Sequence, residues 1–496
     1  MDTREFIVED QAKTLFPIKT SQLLIQHGER LITEHIAKCF DERETAFSFL
    51  PQQRVYAAKH GLNLRRTVKL DPVAEYYVYN LVHRHRRHFR KPHDAKRSHF
   101  GYRFTKGTYL NPSLSYKAFK TAISKYTKKY KFFVSFDVAS YFNSLYHHDL
   151  AGWLLGLGAE QSDYQQFGQY LREINAGRSV DVLPQGIYPT KMIGNDFLRF
   201  VDNHHALKCK QLLRFMDDFY LFSDNAEDIR RDFMLIQQLL GEKSLSINPS
   251  KTSRVTASHT KIAADIDDVK KKLLDRRRQE ISVAGYDEDD EPETLQITVK
   301  KPLSKAELDY ILGLLAQETL EEEDAELVLS VMRDHATKAE RKLDYIIQTF
   351  PNLIKSVHNF CARVQDKEFV GELLLKALQS DELQEYQLFW FGHILESYLL
   401  GTSAASPLIN GIYNHSKATA ISKAKILEIP DRRFGLPELR QPLLTSGQSD
   451  WLSWSAAVGE RKERAASRNY KLAYFGKASP MNGLISAIVS QIEQGG

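Results

Sequence analysis

The chain has 496 residues, of which 42% are hydrophobic and 26% are charged, and its formal net charge is +5. This length predicts two or three domains, and this composition is typical of a globular protein rather than a disordered or fibrous one. The amino-terminal residues lack the apolar core of a signal peptide, and no apolar stretch is long enough to cross a membrane. Three widely separated cysteines, Cys39, Cys209 and Cys361, indicate reduced thiols and a cytoplasmic location.

Positive charge is concentrated in one segment of the chain. Residues 51–150 contain 20 Lys and Arg but only five Asp and Glu, whereas residues 263–496 contain 29 Lys and Arg against 36 Asp and Glu. A local basic excess of this size predicts a polyanionic partner such as a nucleic acid, and a solvated basic surface is the alternative.

The first predicted elements are helices followed by a basic strand. Residues 1–54 have apolar residues at helical spacing and form a predicted amino-terminal helical segment. Residues 64–70 alternate as a short strand that ends before a proline. Arginines on such a strand can hold a triphosphate through paired hydrogen bonds, which makes Arg65 and Arg66 candidates for nucleotide binding.

A basic and aromatic stretch comes next. Residues 117–131 contain six lysines and no acid, with tyrosines interleaved. Lysines with aromatic side chains suit single-stranded nucleic acid, but an ordinary amphipathic helix has the same pattern.

Two short segments then carry candidate chemistry. The apolar run from Phe132 to Phe136 predicts a strand that delivers one acid, Asp137, at its end, where a metal-ligand role is plausible. Leu183-Pro184-Gln185-Gly186 opens a predicted helix. In this turn the glycine lets the backbone approach a ligand closely, and Gln185 can hydrogen-bond a sugar or a base.

The segment Phe215-Met216-Asp217-Asp218 lies between two apolar runs and predicts a hairpin with two acids at its tip. Paired carboxylates need a counter-ion, and Mg²⁺ prefers oxygen ligands. Alone this motif is weak, because Asp-Asp is common in ordinary turns. A capped helix to Gly241 and a short strand before Lys251 follow it.

The order of these elements predicts an α+β fold of the split βαβ type, with helices covering one face of an antiparallel sheet. Such a sheet would bring Asp137 and Asp217 together. We predict a domain at 55–262, a charged connector at 263–300 and an all-helical carboxy-terminal domain at 301–496, arranged as an irregular, HEAT-like helical array.

The acid-bearing strand, the Leu-Pro-Gln-Gly turn and the Phe-Met-Asp-Asp hairpin, in this order, resemble the palm blocks of reverse transcriptases. Phe100-Gly101-Tyr102-Arg103 resembles a fingers element of bacterial members, so Arg103 joins the nucleotide-binding candidates. The resemblance covers roughly residues 55–255. The helical region that follows resembles the abortive-infection (Abi) group of phage-defence polymerases, including prophage-encoded members.

The resemblance implies a nucleotidyltransferase that uses two Mg²⁺ ions. Asp137 and Asp217 would be the bridging metal ligands and Asp218 an auxiliary one. The remaining implied roles are nucleotide contacts by Gln185 and Gly186, and a steric gate at Phe142 that favours deoxynucleotides. Lys251 would lie near the leaving pyrophosphate, or else be an ordinary surface lysine.

Three residues depart from the family pattern. Phe215 stands where the family usually has tyrosine, and Thr190-Lys191 replaces the usual Ser-Pro. These departures indicate that template and primer are not handled as in other members. The Abi resemblance implies untemplated DNA synthesis primed on the protein itself, a single-stranded DNA product attached to it, and a homo-oligomer. A templated, retron-like enzyme that uses bound RNA and a catalytically idle nucleic-acid-binding protein are the alternatives.

Overall fold

The computed structural model describes residues 1–61, 63–89, 94–105, 107–253, 256–257, 269, 273, 302–430, 433 and 435–492. The predicted connector at 263–300 therefore lies outside the described residues, apart from two positions. All three cysteines are buried and free. In the described part of the chain, every helix is too short or too polar to traverse a bilayer.

Two helices, a hairpin and a third helix begin the chain. They are α1 (Thr3–Gln11), α2 (Lys19–Cys39), β1 (Gln53–Ala58), β2 (Leu64–Lys69) and α3 (Pro72–Arg84). Strands β1 and β2 are antiparallel, with Ala57 opposite Arg65 and Tyr56 opposite Arg66. Helix α3 begins where Asp71 accepts hydrogen bonds from the amides of Val73 and Ala74, next to a proline at the first helical position.

A sheet with its connecting helices follows. Its elements are β3 (Arg97–Phe100), β4 (Phe104–Thr105), β5 (Thr108–Tyr109), α4 (Pro112–Lys129), β6 (Phe132–Phe136), α5 (Tyr141–Ser144), α6 (His147–Gly156), α7 (Gln161–Ile174), α8 (Tyr188–Phe197), α9 (Arg199–Asp202), β7 (Gln211–Phe215), β8 (Asp218–Ser223), α10 (Ala226–Gly241) and β9 (Thr256–Ala257).

The main sheet has the strand order β3-β7-β8-β6-β9. Strands β7, β8, β6 and β9 pair antiparallel, whereas β3 pairs parallel to β7. The prediction of a wholly antiparallel sheet is therefore wrong at this edge. The chain passes from β3 through α4 before it enters β6, and this connection lets β3 run in the same direction as β7.

Helices cover both faces of this sheet, which corrects the prediction of a single covered face. Helix α4 packs Phe119 against Tyr220 and Tyr126 against Phe222. Helix α10 packs Phe233 against Phe136, and the ring of Phe136 stacks on that of Phe219 in β8. Because successive strand residues point to opposite sides, these contacts place the two helices on opposite faces.

The described residues after 301 are helical and contain no strand. The α-helices are α11 (Lys305–Ala316), α12 (Glu322–Val331), α13 (Ala336–Thr349), α14 (Ile354–Cys361), α15 (Lys367–Ala377), α16 (Glu385–Ile394), α17 (Ala405–Asn414), α18 (Ala420–Leu427), α19 (Leu436–Thr445), α20 (Trp451–Gly459), α21 (Ala465–Phe475) and α22 (Pro480–Gln491). An α+β region followed by helices is thus confirmed, and the HEAT-like arrangement stays a prediction.

The segment between α1 and α2 joins the sheet region to the carboxy-terminal helices. Phe16 packs its ring 5.2 Å from that of Phe389 in α16. At the first turn of α2, the buried Glu428 carboxylate accepts hydrogen bonds from the amides of Lys19 (3.1 Å) and Thr20 (2.7 Å). This carboxylate caps a helix from a distant part of the chain, because the first amides of a helix have no partner within it.

Candidate active site

The Asp-Asp hairpin is a two-residue turn in a strained conformation. Met216 and Asp217 connect β7 to β8, and Phe215 pairs with Asp218 across the turn. Met216 has φ 54°, a conformation that favours glycine. Asp217 is half-buried at the tip and Asp218 is exposed at the start of β8. A non-glycine residue persists in such a conformation only where its surroundings hold it.

A buried arginine holds this turn. Arg214 is fully buried and makes a two-pronged ion pair with Asp202, through hydrogen bonds of 2.8 and 2.5 Å. Its third nitrogen donates to the carbonyl oxygen of Met216 at 2.7 Å. The Asn195 side-chain oxygen accepts from the Met216 amide at 3.2 Å. Buried side chains therefore hydrogen-bond both the amide and the carbonyl of Met216.

Asp137 lies at the same end of the sheet as the hairpin tip. Phe136, the last residue of β6, pairs with Phe219, so the next residue lies beyond the pairing, near the start of β8. The Asp137 Oδ2 atom is 3.6 Å from Lys251 Nζ. Its Oδ1 atom is buried and has no hydrogen-bond partner among the described residues. A buried carboxylate oxygen without a donor is costly unless a cation or a ligand completes its surroundings.

The acids at this end of the sheet fit a Mg²⁺ ion that takes only some of its ligands from the protein. Within the described ranges, no three carboxylate, imidazole or thiolate side chains lie close enough together to hold a metal ion. Mg²⁺ usually keeps several waters and binds through one or two carboxylates plus substrate phosphates. The unsatisfied oxygen of Asp137 and the carboxylate of Asp217 meet this need, while Asp218 starts the neighbouring strand on the exposed side.

A polar network connects several predicted nucleotide contacts. Asp181 pairs with Arg54 and with Arg66, whose Nε lies at 3.3 Å. Asn143 donates to the same carboxylate at 2.5 Å and accepts from Gln185 Nε2 at 3.1 Å. Gln185 Nε2 also donates to the Arg66 carbonyl oxygen at 3.4 Å. The structure thus brings Arg66 and Gln185 together, directly and through Asn143 and Asp181, which were not predicted from the sequence.

The three candidate arginines differ in their surroundings. Arg65 is buried and Arg66 is exposed, and as neighbours on β2 they point to opposite faces. The two therefore cannot hold one triphosphate side by side. Arg103 is half-buried, and its Nε has no hydrogen-bond partner among the described residues. Burial lowers the pKa of this guanidinium. The backbone amide and carbonyl of Arg103 both hydrogen-bond the Tyr188 hydroxyl, and Tyr188 follows Gly186 by two residues.

Gly186 has a positive φ of 88°, and a Cβ built there would lie 2.6 Å from Cδ1 of Leu15. The close approach that the glycine permits is therefore to the amino-terminal segment. The turn is fixed to β2 as well, because Thr67 Oγ1 accepts from the Gln185 amide at 2.7 Å. The shape of this turn depends on both neighbours.

Phe142, the predicted gate, is buried beneath α8. A Cβ at Gly194 would lie 3.0 Å from its ring, and the Lys191 ammonium lies 5.0 Å from the ring centroid. The glycine gives the ring room, and the lysine is one of the residues that depart from the family pattern. Lys191 itself is only 1% exposed.

The residues that support the site were not predicted from the sequence. Arg214 left a signal, since a charged residue interrupts an otherwise apolar strand. Asn143 directly follows the predicted gate. Asp181, Asp202 and Asn195 left no local signal, because each acts through partners far away in the sequence.

The family described as "Reverse transcriptase (RNA-dependent DNA polymerase)" matches residues 67–290. This match includes Asp137, the Leu-Pro-Gln-Gly turn and the Asp-Asp hairpin. Residues 67–290 are therefore similar to a reverse-transcriptase domain. A search of curated proteins found no match.

Solved telomerase structures from Candida are similar to this chain. One is telomerase from Candida albicans with a TWJ fragment of telomeric RNA, at 13% identity and a TM-score of 0.32, covering 74% of this chain and 66% of that one. Another is apo telomerase from Candida tropicalis, at 10% identity and a TM-score of 0.32, covering 82% and 69%. The Candida tropicalis enzyme with the RNA fragment has 13% identity and a TM-score of 0.33, covering 79% and 64%. This chain spans just under two thirds of the first structure.

The matched region departs from the family pattern beside the hairpin. The Phe215 ring packs 5.1 Å from Tyr116 and 5.7 Å from Phe119. Where the family usually carries a tyrosine hydroxyl, this chain has a ring in an aromatic cluster. The difference changes the surroundings of the hairpin and leaves the acids in place.

Proposed function

We propose that this protein is a DNA polymerase that adds deoxynucleotides by metal-dependent nucleotidyl transfer. The observation that carries the proposal is the buried, unsatisfied Asp137 oxygen at the sheet end where Arg214 holds the Asp217 turn. Bound Mg²⁺, two ions by family resemblance, would neutralise charge on the reacting phosphate oxygens. Asp137 and Asp217 would hold the metal, with Asp218 as an auxiliary ligand.

The chain's own residues would place the nucleotide. Arg103 and Arg66 would face the triphosphate, and Gln185 would contact the sugar or the base. Phe142 would occupy the space of a 2′-hydroxyl and so favour deoxynucleotides. Lys251, with a side chain 60% exposed and next to Asp137, would lie near the leaving pyrophosphate. Positioning and charge stabilisation supply most of the catalysis in phosphoryl transfer, so these roles are sufficient.

The test is Asp217→Asn in the full chain, with incorporation of labelled deoxynucleotides measured in Mg²⁺. Incorporation should disappear while the thermal unfolding curve stays unchanged. Asp224→Asn is the matched control, because this exposed acid lies at the other end of β8. Retained incorporation by Asp217→Asn would refute the metal assignment.

The finer proposal is untemplated synthesis primed on the protein, in the cytoplasm, by a homo-oligomer serving antiviral abortive infection. Its support is the Abi resemblance of the helical region, together with Phe215 and Thr190-Lys191 where the family has other residues. Loss of the tyrosine hydroxyl beside the hairpin removes one polar contact available to a primer strand.

The second candidate is templated DNA synthesis on a bound RNA, which the description of the matched family favours. One experiment separates the two. Protein free of nucleic acid is incubated with Mg²⁺ and each deoxynucleotide, then denatured and run on a gel before and after nuclease. A nuclease-sensitive ladder on the protein without template supports the finer proposal. Product that appears only with added RNA supports templated synthesis.

A further inference from the structure

Helix α4 begins beside the catalytic hairpin and runs along the sheet away from it. Near its start, the Tyr116 ring lies 5.1 Å from that of Phe215, one residue before the strained turn. Near its end, the Tyr126 ring lies 6.1 Å from that of Phe222, at the far end of β8. Tyr126 follows Tyr116 by ten positions, which corresponds to about 15 Å of helix. The outer face of α4 is therefore a continuous surface that leads away from the active site.

The side of α4 away from the sheet carries lysines, and three half-buried tyrosines that border it also pack toward the sheet. We call these residues together the lysine–tyrosine ridge. Its members are Lys117, Lys120, Lys125, Lys128, Lys129, Tyr116, Tyr126 and Tyr130. All five lysines are exposed and the three tyrosines are half-buried.

Three lysines of the ridge form no ion pair with an acid in the described part of the chain. Among the described residues, no carboxylate forms an ion pair with Lys117, Lys125 or Lys128, and the sequence contains no acid between Asp94 and Asp137. Like charges at this spacing repel one another on a helix. A polyanion lying along the helix would remove that repulsion and release counter-ions.

The tyrosine rings are turned toward the lysines. The ammonium of Lys125 lies 5.3 Å from the centroid of Tyr126, and that of Lys129 lies 5.1 Å from the centroid of Tyr130. An ammonium can lie over a ring only where the protein core does not cover that face. The rings of Tyr126 and Tyr130 are also nearly parallel, at 20° and 6.0 Å. Successive bases of a strand stack on aromatic rings arranged in this way.

We propose that the lysine–tyrosine ridge binds single-stranded nucleic acid, with phosphates on the lysines and bases on Tyr126 and Tyr130. A duplex would bring phosphates to the lysines but keeps its bases away from the rings, so the aromatic part of the contact selects a single strand. The inference rests on the proposed polymerase only in identifying this strand with the product leaving the active site. Binding itself is measured without synthesis.

The first test removes charge. The full chain and the triple variant Lys117→Gln, Lys125→Gln, Lys128→Gln are titrated onto a labelled oligodeoxythymidylate of about 20 nucleotides, without metal or deoxynucleotides, at several salt concentrations. Each phosphate contact contributes about 0.7 to the salt slope for a single strand, so the variant's slope should fall by about 2. The control variant Lys305→Gln, Lys338→Gln, Lys477→Gln removes the same charge from exposed positions in the helical region and should keep the slope. Equal slopes for both variants would overturn the proposal.

The second test removes a ring. Tyr126→Leu should weaken binding of the single strand roughly 5- to 150-fold, the range for losing one stacked base, while Tyr126→Phe keeps the affinity. Thermal unfolding of both variants verifies that the packing on Phe222 survives. An equal loss for a duplex of the same length would overturn the stacking role. No nucleotide is incorporated in these binding assays. A protein without polymerase activity can therefore be distinguished from one whose ridge does not bind a single strand.

Discussion

The ion pair between Arg214 and Asp202 should be needed for catalysis more than for folding. Arg214→Met leaves the Asp202 carboxylate, only 1% exposed, without a counter-ion. Removing one partner of a buried pair costs about 3–5 kcal/mol, a large share of the roughly 5–15 kcal/mol that stabilises a domain. The single variant therefore tests stability alone.

The double variant Arg214→Met, Asp202→Leu separates the two effects. Replacing both partners of a buried pair by apolar side chains is often neutral, so its free energy of unfolding should lie within about 1 kcal/mol of the wild type. The Met216 carbonyl still loses its donor, and the positive φ of this residue is then disfavoured by about 1–2 kcal/mol. A displaced Asp217 should lower deoxynucleotide incorporation on the order of 100-fold.

The assays are urea unfolding for stability and labelled deoxynucleotide incorporation in Mg²⁺ for activity. Arg231→Met is the matched control: this arginine pairs with Asp228 and Asp232 but is 41% exposed, and the buried Asp232 keeps hydrogen bonds from two backbone amides. This variant should therefore lose at most about 1 kcal/mol. A double variant that folds normally and incorporates nucleotides at the wild-type rate would refute the positioning role of Arg214.

Three further predictions concern residues around the site. Gly186→Ala should destabilise the fold by about 2–4 kcal/mol, because its positive φ and the overlap with Leu15 add, and in a Leu15→Ala background the overlap part should vanish from urea unfolding. Asp10 is buried, and desolvation raises its pKa from 3.8 to about 7. The native state thus keeps a proton that the unfolded chain releases. The free energy of unfolding should therefore fall by roughly 4 kcal/mol as the pH rises from about 4 to about 7. Asp10→Asn should abolish this pH dependence, measured as the midpoint of urea unfolding at each pH. Phe142→Ala should admit ribonucleotides, measured as the ratio of ribo- to deoxynucleotide incorporation; Gly194→Ala, which fills the space beside the ring, should change the same ratio, and unchanged ratios for both would contradict the gate.

Several elements of the domain could be predicted because their signals are local. Alternation and a two-residue turn predicted the hairpin that carries Asp217, and an apolar run with one terminal acid predicted the strand that ends at Asp137. The lysine and tyrosine pattern of residues 117–131 fitted either a segment that binds a single strand or an amphipathic helix, and the structure has a helix there. These patterns can be recognised because side chains on one face recur every two residues in a strand and every 3.6 residues in a helix.

The direction of one sheet edge and the faces that helices cover could not be predicted in this way. The sequence analysis expected an antiparallel sheet covered on one side, whereas β3 runs parallel to β7 and α4 and α10 lie on opposite faces. Both outcomes depend on where a connecting helix crosses the sheet, and several crossings bury similar apolar area.

The sequence by itself determined which acids could serve the chemistry, since Asp137 and Asp217 each close an apolar segment that must be buried. Only the tertiary structure decided which partners hold the hairpin and the other site residues in place. Asp202 lies beneath Arg214, Asp181 joins Arg66 to Asn143, and Leu15 fills the space that Gly186 leaves open. A buried charge or a strained turn needs a compensating partner, and the partner that folding supplies comes from any part of the chain.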